Sequence, residues 1–391
     1  MTRVAYVSAD LGVPVFGRKG CSIHAQEIIG ALLRHGTQVD LFTTSGEGNP
    51  PVGLESATLH LLPRPPKGDH AEREQASLAG NGRLREELER AGDFDLIYER
   101  YSLWSFAAME LARDRGIPGL LEVNAPLIEE QAEYRVLVDR AGAERTAERV
   151  FRAARALLAV SDEVAGYLKQ FPETLGKIQV LPNGVNAERF PENLQPALPS
   201  KPGVFTVGFV GTLKAWHGLS VLIEAFAQFH ARLPLTRLLI VGDGPEREKL
   251  AADLAARGLQ NAALFTGSVA PEKVPALLAS MDVAVAPYPK LEKFYFSPLK
   301  VYEYMAASVP VVASRIGQLE KLIQPDTNGL LVPPGNAAAL AAALERLLTE
   351  PQLATRLGRA GRATVLRDYT WDANAQEILQ LARSERKNVA T

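Results

Sequence analysis

Two glycine-containing segments have the composition of anion-binding turns. One is Gly17-Arg18-Lys19-Gly20, and the other runs from Gly211-Thr212 to His217-Gly218. Each follows a short apolar run and precedes a segment of helical period, so unpaired N–H groups and the helix dipole could meet a diphosphate there. Neither matches the dinucleotide fingerprint G-x-G-x-x-G or the P-loop, which disfavours a dehydrogenase and a P-loop kinase.

The elements that would carry these turns form two series. Short β-branched runs alternate with longer helical segments, which is typical of parallel α/β sheets. The first series has predicted strands at Val4–Ser8, Val39–Thr43, Leu96–Tyr98, Gly119–Val123, Ala156–Val160 and Ile178–Leu181. The second has them at Phe205–Val210, Leu238–Val241, Leu264–Thr266, Val283–Ala286, Val309–Ala313 and Leu330–Val332.

We therefore predict an α/β fold of two Rossmann-like, doubly wound domains facing a central cleft, where the carboxyl ends of the strands would bind ligands. The first domain is predicted to span residues 1–190 and the second residues 204–367. Between them, residues 191–203 contain four prolines and are predicted to be the linker.

Composition limits the possible functions. A chain of 391 residues exceeds the usual size of one domain. Its 43 basic and 45 acidic residues leave a net charge of −2, which argues against a nucleic-acid partner or a polybasic membrane protein. The single cysteine excludes an intramolecular disulfide framework. No apolar run reaches the roughly 20 residues of a membrane span, so we predict a cytoplasmic protein.

Five sequence blocks, taken in order, resemble the motifs of family 4 glycosyltransferases: 180–190 (VLPNGVNAERF), 208–211 (GFVG), 217–226 (beginning HG), 239–245 (LIVGDGP) and 297–306 (SPLKVYEYMA). The resemblance covers nearly the whole chain. It implies a GT-B fold in which the second domain binds a nucleotide sugar, the first binds an acceptor, and residues 368–391 form a helix returning to the first domain. It also implies transfer with retention of configuration and without a metal or cofactor, with UDP the favoured nucleotide.

The family's donor signature is a pair of glutamates eight positions apart, the second binding ribose hydroxyls and the first a hydroxyl of the transferred sugar. Glu303 matches the second, but Tyr295 stands at the first. A phenol accepts more weakly than a carboxylate, so the identity of the sugar is open. The remaining donor-binding residues predicted from the resemblance are Gly20, Gly211, Thr212, Lys214, Gly242, Val269, Ser297, Pro298 and Leu299.

The phosphate clamp also departs from the family, which commonly has an arginine and a lysine where this chain has Thr212 and His217. Lys300 lies three positions before Glu303, on the same face of a helix. We predict that Lys300 replaces the missing charge. His217 is predicted to be a hydrogen-bond donor, with Lys214 assisting.

In the first domain, Asn124 stands where the family often has a histidine. The predicted catalytic residues are Lys300, His217 and Asn124. An asparagine can still donate to and accept from a sugar hydroxyl. Glu99 and Arg100 end another strand and are predicted to bind the acceptor, although they could instead pair with each other. His24, on the first helix, either faces the acceptor or packs in the core.

Two further patterns could have either a functional or a purely structural role. Asp93-Phe94-Asp95 imitates a metal-binding Asp-x-Asp but precedes its strand, so no metal site is predicted. Three arginines line one face of the segment Glu144–Arg155. They could contact anionic lipid as a peripheral membrane surface, or form ion pairs with glutamates one helical turn away.

The sequence thus predicts a hexosyltransferase (EC 2.4.-.-) acting on a small-molecule or glycan acceptor. It shows no triad or redox pair, in agreement with a reaction in which the departing phosphate oxygen takes the acceptor's proton. Two alternatives stay open: a nucleotide-sugar epimerase of similar shape, for which no acid/base set is evident, and an inactive sugar-nucleotide-binding protein, which only Tyr295 supports.

Overall fold

The computed structural model describes residues 1–46, 48–65 and 68–384. The chain divides into two compact units: unit 1 comprises residues 1–182 and 371–391, and unit 2 comprises residues 183–370. Each unit is built on one parallel sheet with helices between its strands. The prediction of two Rossmann-like α/β domains is confirmed.

Unit 1 contains a seven-stranded sheet of order β3-β2-β1-β4-β5-β6-β7, parallel throughout. Its strands are β1 (Arg3–Ser8), β2 (Gln38–Thr43), β3 (Thr58–Leu61), β4 (Leu96–Arg100), β5 (Gly119–Val123), β6 (Ala156–Ala159) and β7 (Ile178–Val180). The sequence prediction missed β3, an edge strand whose residues are mostly exposed. The first helices are α1 (Gly20–Arg34), α2 (His70–Ala91), α3 (Ala107–Asp114), α4 (Leu127–Tyr134), α5 (Arg140–Ala153) and α6 (Asp162–Leu168).

Unit 2 contains a six-stranded parallel sheet of order β10-β9-β8-β11-β12-β13. Its strands are β8 (Phe205–Val210), β9 (Thr236–Val241), β10 (Ala263–Phe265), β11 (Val283–Ala286), β12 (Val311–Ser314) and β13 (Leu330–Val332). Its helices are α7 (Leu219–Arg232), α8 (Arg247–Ala256), α9 (Val274–Leu278), α10 (Leu299–Ala306), α11 (Leu319–Leu322), α12 (Ala337–Thr349) and α13 (Pro351–Asp368).

Both faces of the unit 2 sheet are buried, which explains why its strands are continuously apolar. In β9, Leu238 and Ile240 join one core cluster, whereas Leu239 and Val241 join the other. In both units the strand order reverses beside the first strand, between β1 and β4 and between β8 and β11. These are the switch points at which doubly wound sheets bind ligands.

Residues 191–203, the predicted linker, pack against unit 2. Leu194 and Leu198 pack against the core of unit 2. Ala197 N donates to Ala276 O at 2.8 Å, and Arg237 Nη2 donates to Leu198 O at 2.8 Å. The prolines prevent regular structure but not packing, so the segment belongs to unit 2, and the chain divides at residues 182 and 183 instead.

The closing helix α14 (Trp371–Arg383) belongs to unit 1. Trp371 is 2% exposed, and its ring centroid lies 5.0 Å from that of His24 on α1. Asn374 Nδ2 donates to Pro182 O at 2.7 Å. Of the predicted terminal segment 368–391, residues 385–391 lie outside the described part of the chain.

Candidate functional site

The turn after β8 places backbone and a cation close together at the switch point of unit 2. Gly211 has φ +146°, and a Cβ there would lie 2.9 Å from Lys300 Nζ. Gly211 N donates to Val241 O at 2.9 Å, which ties the turn to the end of β9. A side chain at residue 211 would therefore both strain the backbone and displace the lysine.

Lys300, on the first turn of α10, carries a buried amine. Its Nζ lies 4.2 Å from the centroid of the Phe209 ring and 5.7 Å from that of Tyr288. It has no hydrogen-bond partner among the described residues. Burial lowers the pKa of Lys300 to about 7. A buried ammonium that packs against aromatic rings and has no hydrogen-bond acceptor is well suited to pair with an anion.

His217, predicted to be a hydrogen-bond donor, ends the short 3₁₀ helix Ala215–His217 before α7. Burial and the Lys300 ammonium lower the pKa of His217 to about 3, so the ring is neutral near pH 7. Its Nδ1 lies 2.6 Å from Thr212 O. Since a carbonyl oxygen only accepts, Nδ1 carries the proton and Nε2 is left as an acceptor. Nε2 therefore suits a hydroxyl group better than an unprotonated phosphate oxygen.

Glu303 lies on the same helix as Lys300 and is 17% exposed in its side chain. Its Oε1 is 3.3 Å from Nη1 of Arg189, a residue that the sequence analysis did not select. The Tyr295 ring packs against Phe296 at a centroid distance of 4.5 Å.

The other predicted donor-binding residues lie mainly in the turn after β8 and in the segment that leads into α10. Ser297 is buried and accepts a hydrogen bond from Asn183 N at 3.1 Å, which fixes the segment before α10. Lys214 Nζ lies over the Trp216 ring at 4.4 Å. Pro298 is the N-cap residue of α10 and Leu299 its first residue. Gly242 N donates to Gly267 O at 3.1 Å, close in sequence to the half-buried Val269.

In unit 1, three predicted residues meet around a carboxylate that the sequence analysis overlooked. His24 Nε2 lies 2.6 Å from Glu122 Oε1, while Asn124 Nδ2 donates to Glu122 Oε2 at 3.1 Å. Arg100 Nη1 lies 3.6 Å from the same Oε2. Burial alone would raise the pKa of Glu122, but His24, Arg100 and Asn124 together lower it to about 2.

Glu99 does not join this cluster and does not pair with Arg100. Neighbouring residues of a strand point to opposite faces, and Glu99 Oε1 accepts a hydrogen bond from Ser105 before α3. The side chain is fully buried, and burial raises the pKa of Glu99 to about 7. Arg100 pairs with Glu122 instead because their strands are in register at these residues.

The first glycine turn has more open surroundings than the second. Gly20 is exposed and begins α1, and a Cβ on it would meet nothing within 4 Å. Gln26 Nε2 donates to Val15 O at 2.7 Å and to Gly17 O at 2.8 Å, which holds the preceding turn.

Unit 1 also contains a cavity of about 400 Å³ at the carboxyl ends of its strands. Its lining includes Asp10 after β1, Thr44 after β2 and Trp104 after β4, together with Arg73 and Ser77 on α2. None of His24, Glu99 and Arg100 lines it, although Ser105, which donates to Glu99, does.

The Asp93-Phe94-Asp95 segment and the arginines of Glu144–Arg155 both contain side chains paired within the fold. Asp95 lies before β4 and accepts from Arg3 N at 2.8 Å. Arg149 makes two 2.9 Å hydrogen bonds to Glu110, and Arg152 makes one to Glu173. Within the described residues, no cluster of three or more His, Cys, Asp or Glu side chains could hold a metal, and no helix is long and apolar enough to cross a membrane.

Comparison with known proteins gives two consecutive family matches. The family model described as Glycosyltransferase Family 4 matches residues 18–189, and the one described as Glycosyl transferases group 1 matches residues 204–350. The chain belongs to glycosyltransferase family 4. The family match does not favour the epimerase or the inactive binding protein.

Individual relatives agree with family 4. The chain is 29% identical to the alpha-D-kanosaminyltransferase of Streptomyces kanamyceticus over 45% of its own length, and spans 44% of that protein. It is 26% identical to a D-inositol 3-phosphate glycosyltransferase of Pseudarthrobacter chlorophenolicus, covering 92% of this chain and 89% of the relative. The structure of sucrose-phosphate synthase from Thermosynechococcus elongatus superposes with a TM-score of 0.76 at 23% identity, covering 98% of both chains, which supports the GT-B fold.

The sequence analysis did not select Glu122 and Arg189, and the reason is the same for both residues. Glu122 is a charged residue within the otherwise apolar block Leu120–Val123, and Arg189 directly precedes the buried Phe190. A charge at a buried strand end, or just before a buried aromatic residue, is a signal of a polar partner. The identity of that partner is a tertiary contact that spacing along the chain does not give.

Proposed function

We propose that the protein transfers a hexosyl group from a nucleoside diphosphate sugar, with UDP the favoured nucleotide, to a hydroxyl of an acceptor. The buried, unpartnered Lys300 Nζ at the switch point of unit 2 carries this proposal. A diphosphate oxygen would pair with it, and the N-terminus of α7 would add its dipole. Glu303, on the same helix, would accept hydrogen bonds from the ribose hydroxyls.

The proposed reaction retains configuration. The bond between the anomeric carbon and the departing diphosphate oxygen breaks, and the acceptor oxygen bonds to the same face of that carbon. The acceptor's proton passes to the departing oxygen, so the step needs no protein base. Lys300 stabilises the charge that develops on the diphosphate, and the neutral His217 Nε2 accepts from a sugar hydroxyl.

We place the acceptor in unit 1, in the cavity beside Trp104. The half-buried indole offers a flat apolar face to a sugar or polyol ring, while Asp10, Thr44 and Ser77 offer polar groups to hydroxyls. A small-molecule or glycan acceptor fits this mixture. Trp104→Ala should raise the acceptor KM while leaving UDP affinity unchanged.

Metal independence belongs to the same proposal. The cation at the diphosphate is Lys300, which supplies the charge that Mg²⁺ or Mn²⁺ would otherwise provide. Turnover should be undiminished in excess chelator. A reaction abolished by chelator and restored by either metal would contradict this, and would direct attention to Asp93 and Asp95.

Calorimetric titration with UDP tests whether the Lys300 amine binds the diphosphate. Lys300→Met should weaken UDP binding about 100-fold, because it removes a charge-assisted contact in a desolvated site. The matched control is Lys249→Met, which removes an exposed lysine paired with Glu246 at 3.1 Å in the same unit. Equal UDP affinity in wild type and Lys300→Met would overturn the proposal.

Proton uptake on UDP binding is a second test of the role proposed for Lys300. With its pKa lowered to about 7, Lys300 is mostly neutral at pH 8 in the free protein. Binding of an anion should restore the proton, so UDP affinity should fall as the pH rises above 7. Calorimetry at pH 8 in two buffers of different protonation enthalpy should show uptake of up to one proton in wild type, and none in Lys300→Met.

A further inference from the structure

Arg189 joins two parts of unit 2 through one guanidinium group. Its Nη1 lies 3.3 Å from Glu303 Oε1 on α10, and its Nη2 donates to Pro271 O at 2.8 Å in the segment after β10. The side chains of Arg189 and Glu303 are only 20% and 17% exposed. The contact is therefore shielded from water far more than a surface ion pair.

The backbone beneath Arg189 is held on both sides. Phe190 is fully buried and Val185 is 1% exposed, both in the core of unit 2. Val185 N donates to Tyr369 O at 2.9 Å. The short 3₁₀ helix Ala187–Arg189 is capped by Asn186, whose side chain accepts from Glu188 N at 3.1 Å. The guanidinium thus extends from a rigid base.

The guanidinium of Arg189 limits how the Glu303 carboxylate can turn. A carboxylate has about four acceptor positions, and the contact with Arg189 Nη1 at Glu303 Oε1 occupies one of them. A planar, two-pronged guanidinium that is itself anchored to a carbonyl restricts the rotation of the carboxylate more than a lysine ammonium would. It also offsets the cost of withdrawing this charge from water.

We propose that Arg189 is a positioning residue for the donor. It holds the Glu303 carboxylate in the orientation that accepts the ribose hydroxyls of a nucleoside diphosphate, and it fixes the segment after β10 relative to α10. Arg189 touches no reacting atom. This proposal rests on the proposed function to the extent that Glu303 binds ribose.

The test compares UDP with 2′,3′-dideoxy-UDP, which lacks the two hydroxyls, by calorimetric titration. Wild type should bind UDP more tightly. Arg189→Gln should weaken UDP binding about tenfold and leave dideoxy-UDP affinity unchanged, because only the hydroxyl contacts are disturbed. Arg189→Lys should restore part of the difference. Arg232→Gln, which removes a surface arginine paired with Glu345 at 2.9 Å, should change neither affinity.

The outcomes separate the two proposals. If Arg189→Gln lowers both affinities equally or neither, Arg189 has no positioning role toward the ribose, and this inference is overturned. If wild type binds UDP but does not distinguish it from dideoxy-UDP, the ribose role of Glu303 fails, and the inference fails with it. Should Arg189→Gln not fold, Arg189→Lys must still show the selective loss, at smaller size.

Discussion

The switch points of the two units share a topology but not their electrostatics. In unit 1 a buried carboxylate, Glu122, is surrounded by His24, Arg100 and Asn124. In unit 2 the buried amine of Lys300 lies near the rings of Phe209 and Tyr288 and has no hydrogen-bond partner among the described residues. Removing one member of a compensated buried network destabilises the fold, whereas an uncompensated buried cation favours an anionic ligand. We therefore expect the same fold position to hold a compensated network in one unit and a ligand-binding group in the other.

The largest expected effect tests how rigid the unit 2 site is. Gly218 has φ +71°, and a Cβ there would lie 1.8 Å from Pro287 O, a backbone atom that cannot move aside. Gly218→Ala should cost more than about 3 kcal/mol in the free energy of unfolding and abolish UDP binding.

Gly258→Ala is the matched control for Gly218→Ala. Gly258 has the same φ of +71° but open space around it, so alanine there should cost only about 1 kcal/mol of backbone strain. Chemical denaturation measures both variants. Equal losses would show that the close approach to Pro287 does not constrain the site.

Disrupting the Glu122 network of unit 1 should lower stability without changing UDP binding. Glu122→Gln leaves His24 and Arg100 buried without their anion, so we expect a loss of about 3 kcal/mol in unfolding free energy at pH 7. UDP affinity should not change, because every donor contact proposed above except Gly20 comes from unit 2. Loss of UDP binding with unchanged stability would reverse the roles assigned to the two switch points.

In wild type, the stabilisation that Glu122 provides depends on pH because its pKa is lowered to about 2. Such a group stabilises the fold above its unfolded pKa, near 4.5, and the stabilisation is lost as the pH falls toward 2. The difference in unfolding free energy between wild type and Glu122→Gln should therefore shrink as the pH falls from 7 to 3.

Glu99 should give an effect of opposite sign. Its pKa is raised to about 7 by burial, so its protonated form is favoured in the folded state. Wild-type stability should decline as the pH rises from about 4.5 to 7 through this group, by at most about 3 kcal/mol. Glu99→Gln should remove that decline. A wild-type curve and a variant curve that stay parallel from pH 5 to pH 8 would contradict it.

Sequence reasoning located the strands because burial on both faces makes them continuous apolar runs. Of the twelve predicted strands, β5, β8, β11 and β13 match the structure at both ends, and β1, β2, β6 and β7 differ by one residue at one end. The edge strand β3 was missed because exposed residues carry no such run. The packing of residues 191–203 was not predicted because proline density indicates irregular backbone, whereas the partial burial of Leu194 and Leu198 depends on tertiary contacts.

The candidate site was predicted only in part, and for a similar reason. The i, i+3 spacing of Lys300 and Glu303 on one helix could be derived from helical period. The partner of each charge could not, since Arg189 is far from Glu303 in sequence, and His24 is far from Glu122. The protonation of His217 also depends on burial and on the nearby Lys300, neither of which its motif records.

The smallest effect concerns the first glycine turn, which contrasts with Gly218. Gly20 has open space around its Cα, so Gly20→Ala should change the unfolding free energy by no more than about 0.5 kcal/mol. If the N-terminus of α1 approaches a diphosphate, as the sequence predicts, an added methyl group would crowd the ligand, and the donor KM should rise a few-fold at constant stability. Gly82→Ala, at another open helical glycine of unit 1, should leave the donor KM unchanged. A donor KM unaffected by Gly20→Ala would mean that Gly20 simply begins a helix, and that unit 2 binds the diphosphate without it.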